Sequence, residues 1–366
     1  MRVTSIALSG FRNYEWETVR FDPGTNVIAG PNAQGKTNLL EAVYMLSCGR
    51  SFRTRFDREL VGFGFSEADL LAELYSHGRE QTVNIRLRPG IAKRISVNGV
   101  KKTAGELSEL ANVVLFSPDD LNLIRDGAAI RRRLLDNAIS QIRPRYAEIL
   151  TEFNRLYEHK TRILKDWREK PSLLDTLDEF SDGMCRASAQ LIRYRAAYTA
   201  RLNEAAPPIH RDFSGEGEEL DIRYKTVSTV RDPFAPAKEI YYDLCEHQES
   251  HRQAELDSAQ CLSGAHKDDL EIFINGRAAR SFASQGQTRT AALSLKLAER
   301  EILLAETGEY PILLLDDVLS ELDSRRQEFV LNRIGGGQTL ITCCEDDAIS
   351  ARTGGKVLFI DKGRIR

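Results

Sequence analysis

The stretch Gly30-Pro31-Asn32-Ala33-Gln34-Gly35-Lys36-Thr37 fits the spacing Gly-x-x-x-x-Gly-Lys-Thr. It follows the short apolar run Val27-Ile28-Ala29 and precedes Leu39, Leu40, Val43, Tyr44 and Leu46, which recur on a helical period. A loop between a strand and a helix is what a phosphate cradle requires. Gly30 and Gly35 let backbone N–H groups wrap phosphate oxygens, with Pro31, Asn32, Ala33 and Gln34 completing the turn, and the helix start adds its positive dipole end. Lys36 is placed to reach the β- and γ-phosphates of ATP, and the Thr37 hydroxyl to ligate Mg²⁺.

A cradle of this kind needs a second magnesium element, an apolar strand ending in aspartate. Ile312-Leu313-Leu314-Leu315-Asp316-Asp317 supplies one. Asp316 is expected to hold the metal through its water shell and Asp317 to polarise the attacking water. Aspartate is one methylene shorter than glutamate, so slow turnover is expected. Almost the whole chain separates the two elements, so the sheet that carries both must be assembled from the two chain ends.

Outward from these elements, residues 3–8, 17–21, 70–75, 82–87 and 93–97 read as short strands bounded by turn signals such as Asp22-Pro23-Gly24 and Asn98-Gly99. From about residue 119 to 261 strand signals nearly vanish. Tyr146, Ile149, Leu150, Phe153, Leu156, Tyr157, Ile163, Leu164 and Trp167 keep a spacing near 3.5, and after Pro171 the pattern resumes with Leu174, Leu177, Met184, Leu191, Tyr194, Tyr198 and Leu202. This predicts an antiparallel helical hairpin, with Pro207-Pro208 and the acidic stretch 215–219 marking a turn or loop beyond it. Strands return at 270–274, 312–315, 338–342 and 357–360, and a helix runs from about Gln287 to before Gly308. The expected division is a head of residues 1–118 and 262–366 with an inserted, mostly helical domain over 119–261.

Composition narrows the class. The chain has 366 residues, 42% hydrophobic and 29% charged, which excludes disordered and collagenous readings. No apolar run is long enough for a membrane span and nothing resembles an export signal, so a cytoplasmic location is expected. Six scattered cysteines without a Cys-x-x-Cys pair read as reduced core thiols. His247 and His251 stand four apart, but Gln248 occupies the position of a metalloprotease base, so they read as surface histidines. Net charge is only −3, yet residues 125–170 hold 12 basic against 7 acidic side chains and 203–257 hold 6 against 13. Arg131-Arg132-Arg133, with Arg50, Arg53 and Arg55, are the candidates for DNA phosphates.

Between the two magnesium elements, Ser284-Gln285-Gly286-Gln287 opens a helix. A serine, a glycine and a helix start make an anion site without a cradle lysine, or an ordinary helix cap. As an anion site it has no place on the same chain's nucleotide, so the γ-phosphate of a second subunit's ATP is its expected occupant.

Eight stretches, in order, carry a family resemblance: Gly10-Phe11-Arg12-Asn13-Tyr14; residues 30–41; Gly49-Arg50-Ser51-Phe52-Arg53-Thr54; Phe116-Ser117-Pro118-Asp119-Asp120-Leu121; Arg131-Arg132-Arg133-Leu134-Leu135-Asp136; Ser263-Gly264-Ala265-His266-Lys267-Asp268-Asp269; the Ser284 motif; and residues 315–323. The head resembles the SMC and ABC-type ATPases, and the whole chain resembles the RecF family of bacterial recombination mediators. The resemblance implies an α/β fold, an ABC/SMC-type P-loop ATPase head built from both chain ends with an inserted, mostly helical second domain. It implies ATP-dependent homodimerisation on DNA, weak DNA-stimulated hydrolysis, and action with RecR and RecO to place recombinase on gapped DNA. On that reading Arg12 and Asn13 approach the nucleotide, Ser284 and Gly286, with Gln287 beside them, meet the partner's γ-phosphate, and residues 320–323 cross the dimer interface. One departure stands out: Thr342-Cys343-Cys344 occupies the place where the wider class often has a histidine sensor. A transport-type ABC subunit is the main alternative, disfavoured by the long helical insertion; a DNA scaffold without turnover is the other.

Overall fold

The computed structural model describes residues 1–214, 217–344 and 352–366. They divide into two compact units, residues 1–122 with 292–366, and residues 123–291.

The first unit opens with β1 (Arg2–Phe11), β2 (Tyr14–Arg20), β3 (Thr25–Ala29) and α1 (Lys36–Cys48). After these come β4 (Ala68–Ser76), β5 (Arg79–Arg88), β6 (Ile91–Val97), β7 (Val100–Lys102) and β8 (Val113–Phe116). The second unit contributes α2 (Ala128–Ile142), α3 (Pro144–Asp166), α4 (Leu177–Ser214), β9 (Leu220–Lys225) and α5 (Ala237–Ser258), then β10 (Asp269–Ile274), β11 (Arg277–Ala278) and α6 (Ala279–Phe282). Within α7 (Gln285–Thr307) the chain passes back to the first unit, which closes with β12 (Ile312–Leu315), α8 (Ser324–Arg333), β13 (Thr339–Cys343), β14 (Lys356–Asp361) and β15 (Arg364–Ile365).

Two six-stranded sheets build the first unit. One is antiparallel, in the order β2-β1-β4-β5-β6-β7; the other runs β15-β14-β3-β13-β12-β8 and is parallel from β14 to β8. Alternation explains the first: in β5, Val83, Ile85 and Leu87 are buried between outward-facing Asn84, Arg86 and Arg88. In the second, β3, β13, β12 and β8 are buried almost throughout, and β12 is accordingly four leucines and isoleucines with no polar residue. Leu39, Leu40, Val43, Met45 and Leu46 of α1 join Val3, Ile6, Leu70 and Ile85 from one sheet and Ile312, Leu314, Leu340 and Leu358 from the other in a single core. The helix that carries the cradle is thereby fixed from both sides.

In the second unit α3 and α4 form the expected hairpin. Tyr146 meets Tyr194 edge-on at 5.5 Å, Leu156 lies against Gly183, and Leu164 clusters with Leu177, an antiparallel register. Pro207 and Pro208 do not end α4, contrary to expectation; they lie inside it. The helix continues because Leu202, Ala206, Ile209 and Phe213 are buried on either side of them, and because Asn203 Oδ1 accepts the Ile222 N–H of β9 at 2.7 Å. Of the stretch 215–219, Gly215 and Glu216 lie outside the described residues and Gly217 leads on towards β9.

Three further readings are corrected. The strand near residue 270 belongs to the second unit rather than to the head: β10 pairs with β9 and β11 in a separate three-stranded sheet, so the chain returns to the first unit only at Ala292. His247 is buried, its Nδ1 2.6 Å from Ser263 Oγ and its ring stacked on His251 at 4.0 Å. Cys344 is exposed, unlike the buried Cys185, Cys261 and Cys343. Among the described residues no helix is long and apolar enough to cross a membrane.

Candidate functional site

Adjacent parallel strands deliver their following residues to one sheet edge, and here β3, β13 and β12 lie side by side in that order. Gly30 after β3, Cys344 after β13 and Asp316 after β12 therefore share that edge. At Gly30 the backbone has φ 146°, and a Cβ would sit 2.3 Å from the Ile360 carbonyl oxygen, so only glycine fits. Gly35 has φ 115°, with the Asn13 side chain 2.7 Å from where a Cβ would lie, and its carbonyl accepts the Tyr14 hydroxyl at 2.9 Å.

Lys36 is the first residue of α1 and only 4% exposed. Its Nζ donates to the Gly30 carbonyl at 2.7 Å and the Pro31 carbonyl at 3.1 Å, and has no carboxylate partner among the described residues. An ammonium buried inside a loop without a counter-anion, at a helix start, is poised for an anionic ligand. Cys344 Sγ lies 3.8 Å from Nζ and 3.0 Å from Asn32 Oδ1.

Thr37 and Asp316 come together: the hydroxyl donates to Asp316 Oδ1 at 2.9 Å. Thr342 of β13 donates to the same oxygen at 3.0 Å and accepts the Asp317 N–H at 2.8 Å, so the strand between the two elements joins them. Burial pushes the Asp316 carboxyl above the usual range; the hydrogen bonds from Thr37 and Thr342 oppose this, and the Asp317 charge adds to it. A hydroxyl and a carboxylate are hard oxygen donors, the set that suits Mg²⁺. Asp317 has φ 50°, and its Oδ1 is buried with no hydrogen-bond partner among the described residues. A carboxylate oxygen left unsatisfied beside this cluster is an acceptor available to a ligand or water.

Arg12 is engaged elsewhere than on the cradle. Its Nε and Nη2 each donate to the fully buried Glu41 of α1 at 2.8 Å, and Nη1 to the Glu59 carbonyl at 2.8 Å. Asn13 does touch the cradle, donating to the Gln34 carbonyl at 2.9 Å; it also accepts from Asn38 at 2.8 Å, and Asn38 accepts from Arg53 at 2.7 Å. Glu41 and Asn38 were given no role from sequence, and Thr342 was noted only where a sensor histidine is missing. The only signal for Glu41 was an acid within an otherwise apolar helical run.

Ser284 is exposed and caps α7. Its Oγ accepts the Gln287 N–H at 3.2 Å, while Gln287 Oε1 accepts the Ser284 N–H at 2.9 Å, a reciprocal capping box. Gln287 also donates to Glu218 at 2.9 Å, and Gly286 is half-buried between them in sequence. Asp323 caps α8, accepting the Arg326 N–H at 2.9 Å, and the exposed Ser320 donates to the Asp317 carbonyl at 2.6 Å.

The arginine triplet is divided by the helix. Arg131, proposed for DNA, is 2% exposed: it pairs with Asp269 through bonds of 2.7 and 2.9 Å and donates to the carbonyls of Leu123, Ile124 and Asp126. It is a core residue, so a phosphate contact is excluded. Arg132 is half-buried on the Asp268 carbonyl at 2.6 Å, and Arg133 is exposed, as are Arg50 and Arg53. Arg131→Ala is expected to cost about 3–5 kcal/mol in urea unfolding by stranding Asp269 and three carbonyls, without changing the salt dependence of any DNA binding.

A family model, the RecF/RecN/SMC N terminal domain, matches residues 2–353. The "DNA replication and repair protein RecF" of Acetivibrio thermocellus is 38% identical over 98% of both chains, and that of Listeria monocytogenes is 40% identical over the full length of both. A solved structure described as the recombination mediator protein RecF-ATP in the RecFOR pathway superposes over 100% of this chain and 96% of its own, with TM-score 0.89 and 34% identity. An Smc head from Pyrococcus furiosus, 16% identical with TM-score 0.55, shares the fold. The cradle at one sheet edge, the full-length identity and the superposition agree, and the chain belongs to the RecF family of DNA replication and repair proteins, within the wider RecF/RecN/SMC group.

Proposed function

We propose that this chain is an ATP-dependent DNA-binding protein of recombinational repair that binds Mg²⁺–ATP in the cradle, dimerises on DNA through two shared nucleotides, and hydrolyses ATP slowly. The buried Lys36 ammonium, without a carboxylate partner among the described residues, carries the reading. Backbone N–H groups of the loop and the start of α1 receive the phosphates, and Lys36 exchanges its two carbonyl partners for phosphate oxygens. Thr37 and Asp316 would hold the Mg²⁺, which would supply neutralisation of phosphate charge when bound. Asp317 orients the attacking water through its unsatisfied oxygen. Asn13 fixes the loop from outside, and Arg12 holds α1 through Glu41.

The relatives' role in the RecFOR pathway supports joint action with RecR and RecO in loading recombinase on gapped DNA. Exposed Arg50, Arg53 and Arg133 remain candidates for phosphate contacts.

Lys36→Ala tests the site. Loss of a charge-assisted bond of about 1.5–3 kcal/mol weakens ATP binding about 10- to 100-fold by calorimetry. Unchanged affinity removes the nucleotide from this cradle.

A further inference from the structure

Phe63 in the first unit is 106% exposed, a phenyl ring with nothing packed on it. It sits in Gly62-Phe63-Gly64-Phe65, where the Phe65 N–H donates to the Gly62 carbonyl at 3.1 Å and Gly64 has φ 85°. These are the marks of a type II turn with Phe63 at its first corner. The turn is fastened to β1: the Gly62 N–H donates to the Gly10 carbonyl at 2.8 Å, and the Phe65 ring leaves only 3.0 Å for a Cβ at Gly10. Any Cβ at Gly62 would come within 2.6 Å of the Arg12 carbonyl. Phe63 is thus held outward from a fixed base.

A solitary exposed apolar side chain is ordinary, but Phe63 is not solitary. Phe56 and Phe65 are 51% and 43% exposed in the same short segment. Basic side chains interleave with them in the sequence. The Arg58 guanidinium lies over the Phe56 ring at 5.0 Å, and Arg53 and Arg55 are exposed beside it in sequence. Of the segment's acids, Asp57 is answered by Lys93 at 2.9 Å and Glu67 by Arg88 at 2.6 Å, while Glu59 takes the Thr54 hydroxyl. An exposed aromatic ring on a fixed turn, in a segment that interleaves phenylalanines with arginines, suits a polyanion that offers flat faces for stacking, which is the chemistry of unpaired nucleic-acid bases.

We infer that the Phe63 turn is a stacking platform for an unpaired DNA base. The inference rests on the DNA-binding reading above. Arginines of the segment take the flanking phosphates, and the ring takes the base irrespective of its identity.

The test measures the affinity of the full chain, with ATP and Mg²⁺, for a covalently closed duplex dumbbell and for the same dumbbell carrying a ten-nucleotide gap. Phe63→Ala, at a position that supports no core, is expected to weaken binding to the gapped probe about 5- to 150-fold, the equivalent of one stacked base at about 1–3 kcal/mol. Binding to the closed dumbbell and the salt slope on both probes stay unchanged, because no phosphate contact is removed. Phe63→Trp restores the gapped-probe affinity. Equal loss on both probes, or none on the gapped one, overturns the platform, the second outcome leaving the ring for a protein partner. Failure of the unsubstituted chain to bind either probe overturns the DNA reading itself.

Discussion

Asp317→Asn is expected to cut ATP hydrolysis by about 10²- to 10⁴-fold, the usual contribution of a positioned proton acceptor, while ATP affinity and ATP-dependent assembly persist. The side chains around Asp316 and Asp317 divide the labour. Asp316 Oδ1 already takes two hydroxyl hydrogen bonds, from Thr37 and Thr342, and faces the cradle through Thr37. Asp317 Oδ1 takes none among the described residues and is buried. An amide in its place keeps the shape and the backbone bond to Thr342 but gives up the negative charge that would draw a proton from water. Asp316→Ala instead removes a metal-binding carboxylate and leaves the Thr37 and Thr342 hydroxyls without their acceptor. Mg²⁺-dependent ATP binding is therefore lost along with turnover. Single-turnover phosphate release set against calorimetric affinity separates the two cases. Identical behaviour of the two variants would show that the aspartates do not have separate roles.

The parts of this site that were legible in the sequence are those whose residue types are demanded locally. Gly30 must be glycine because the Ile360 backbone occupies the space of any side chain, and a four-residue run of leucine and isoleucine such as β12 has few homes outside a buried strand. What long-range pairing decides was less legible. Val113–Phe116 is as apolar as Ile312–Leu315 but is absent from the expected strands; what places it as β8 is its parallel pairing with β12, far along the chain. In β9, Leu220, Ile222 and Tyr224 do alternate with polar residues, a signal submerged among long helices. The arginine triplet shows the same limit at one residue's scale. Successive helical residues turn by about 100°, so Arg131 joins the buried side with Leu134 and Leu135 while Arg133 turns to water. Its spacing to those leucines was visible; its Asp269 partner, 138 residues away, was not.

Ser284→Arg is expected to leave ATP binding by the single chain near normal and to abolish ATP-dependent dimerisation, read by light scattering. The Ser284 hydroxyl stands exposed at the start of the 23-residue α7, where the helix dipole favours an anion, while the cradle at Gly30 to Thr37 is proposed to surround the phosphates of its own nucleotide. Both elements serve one ATP if two chains meet about a two-fold axis, each presenting its α7 start to the other's γ-phosphate. Arginine at this position obstructs that approach. Loss of the helix cap alone, measured with Ser284→Ala, costs about 1 kcal/mol of stability and no fold. Mixing Ser284→Arg with Lys36→Ala gives the sharper result. In the heterodimer both substitutions fall on the same composite site, cradle from one chain and α7 start from the other, and the second site is intact. Each variant alone is inactive, whereas an equimolar mixture recovers part of the unsubstituted activity through the intact site of the heterodimer. Heterodimers shown to form by mass, yet with no recovered turnover, would mean that cradle and α7 act within one chain.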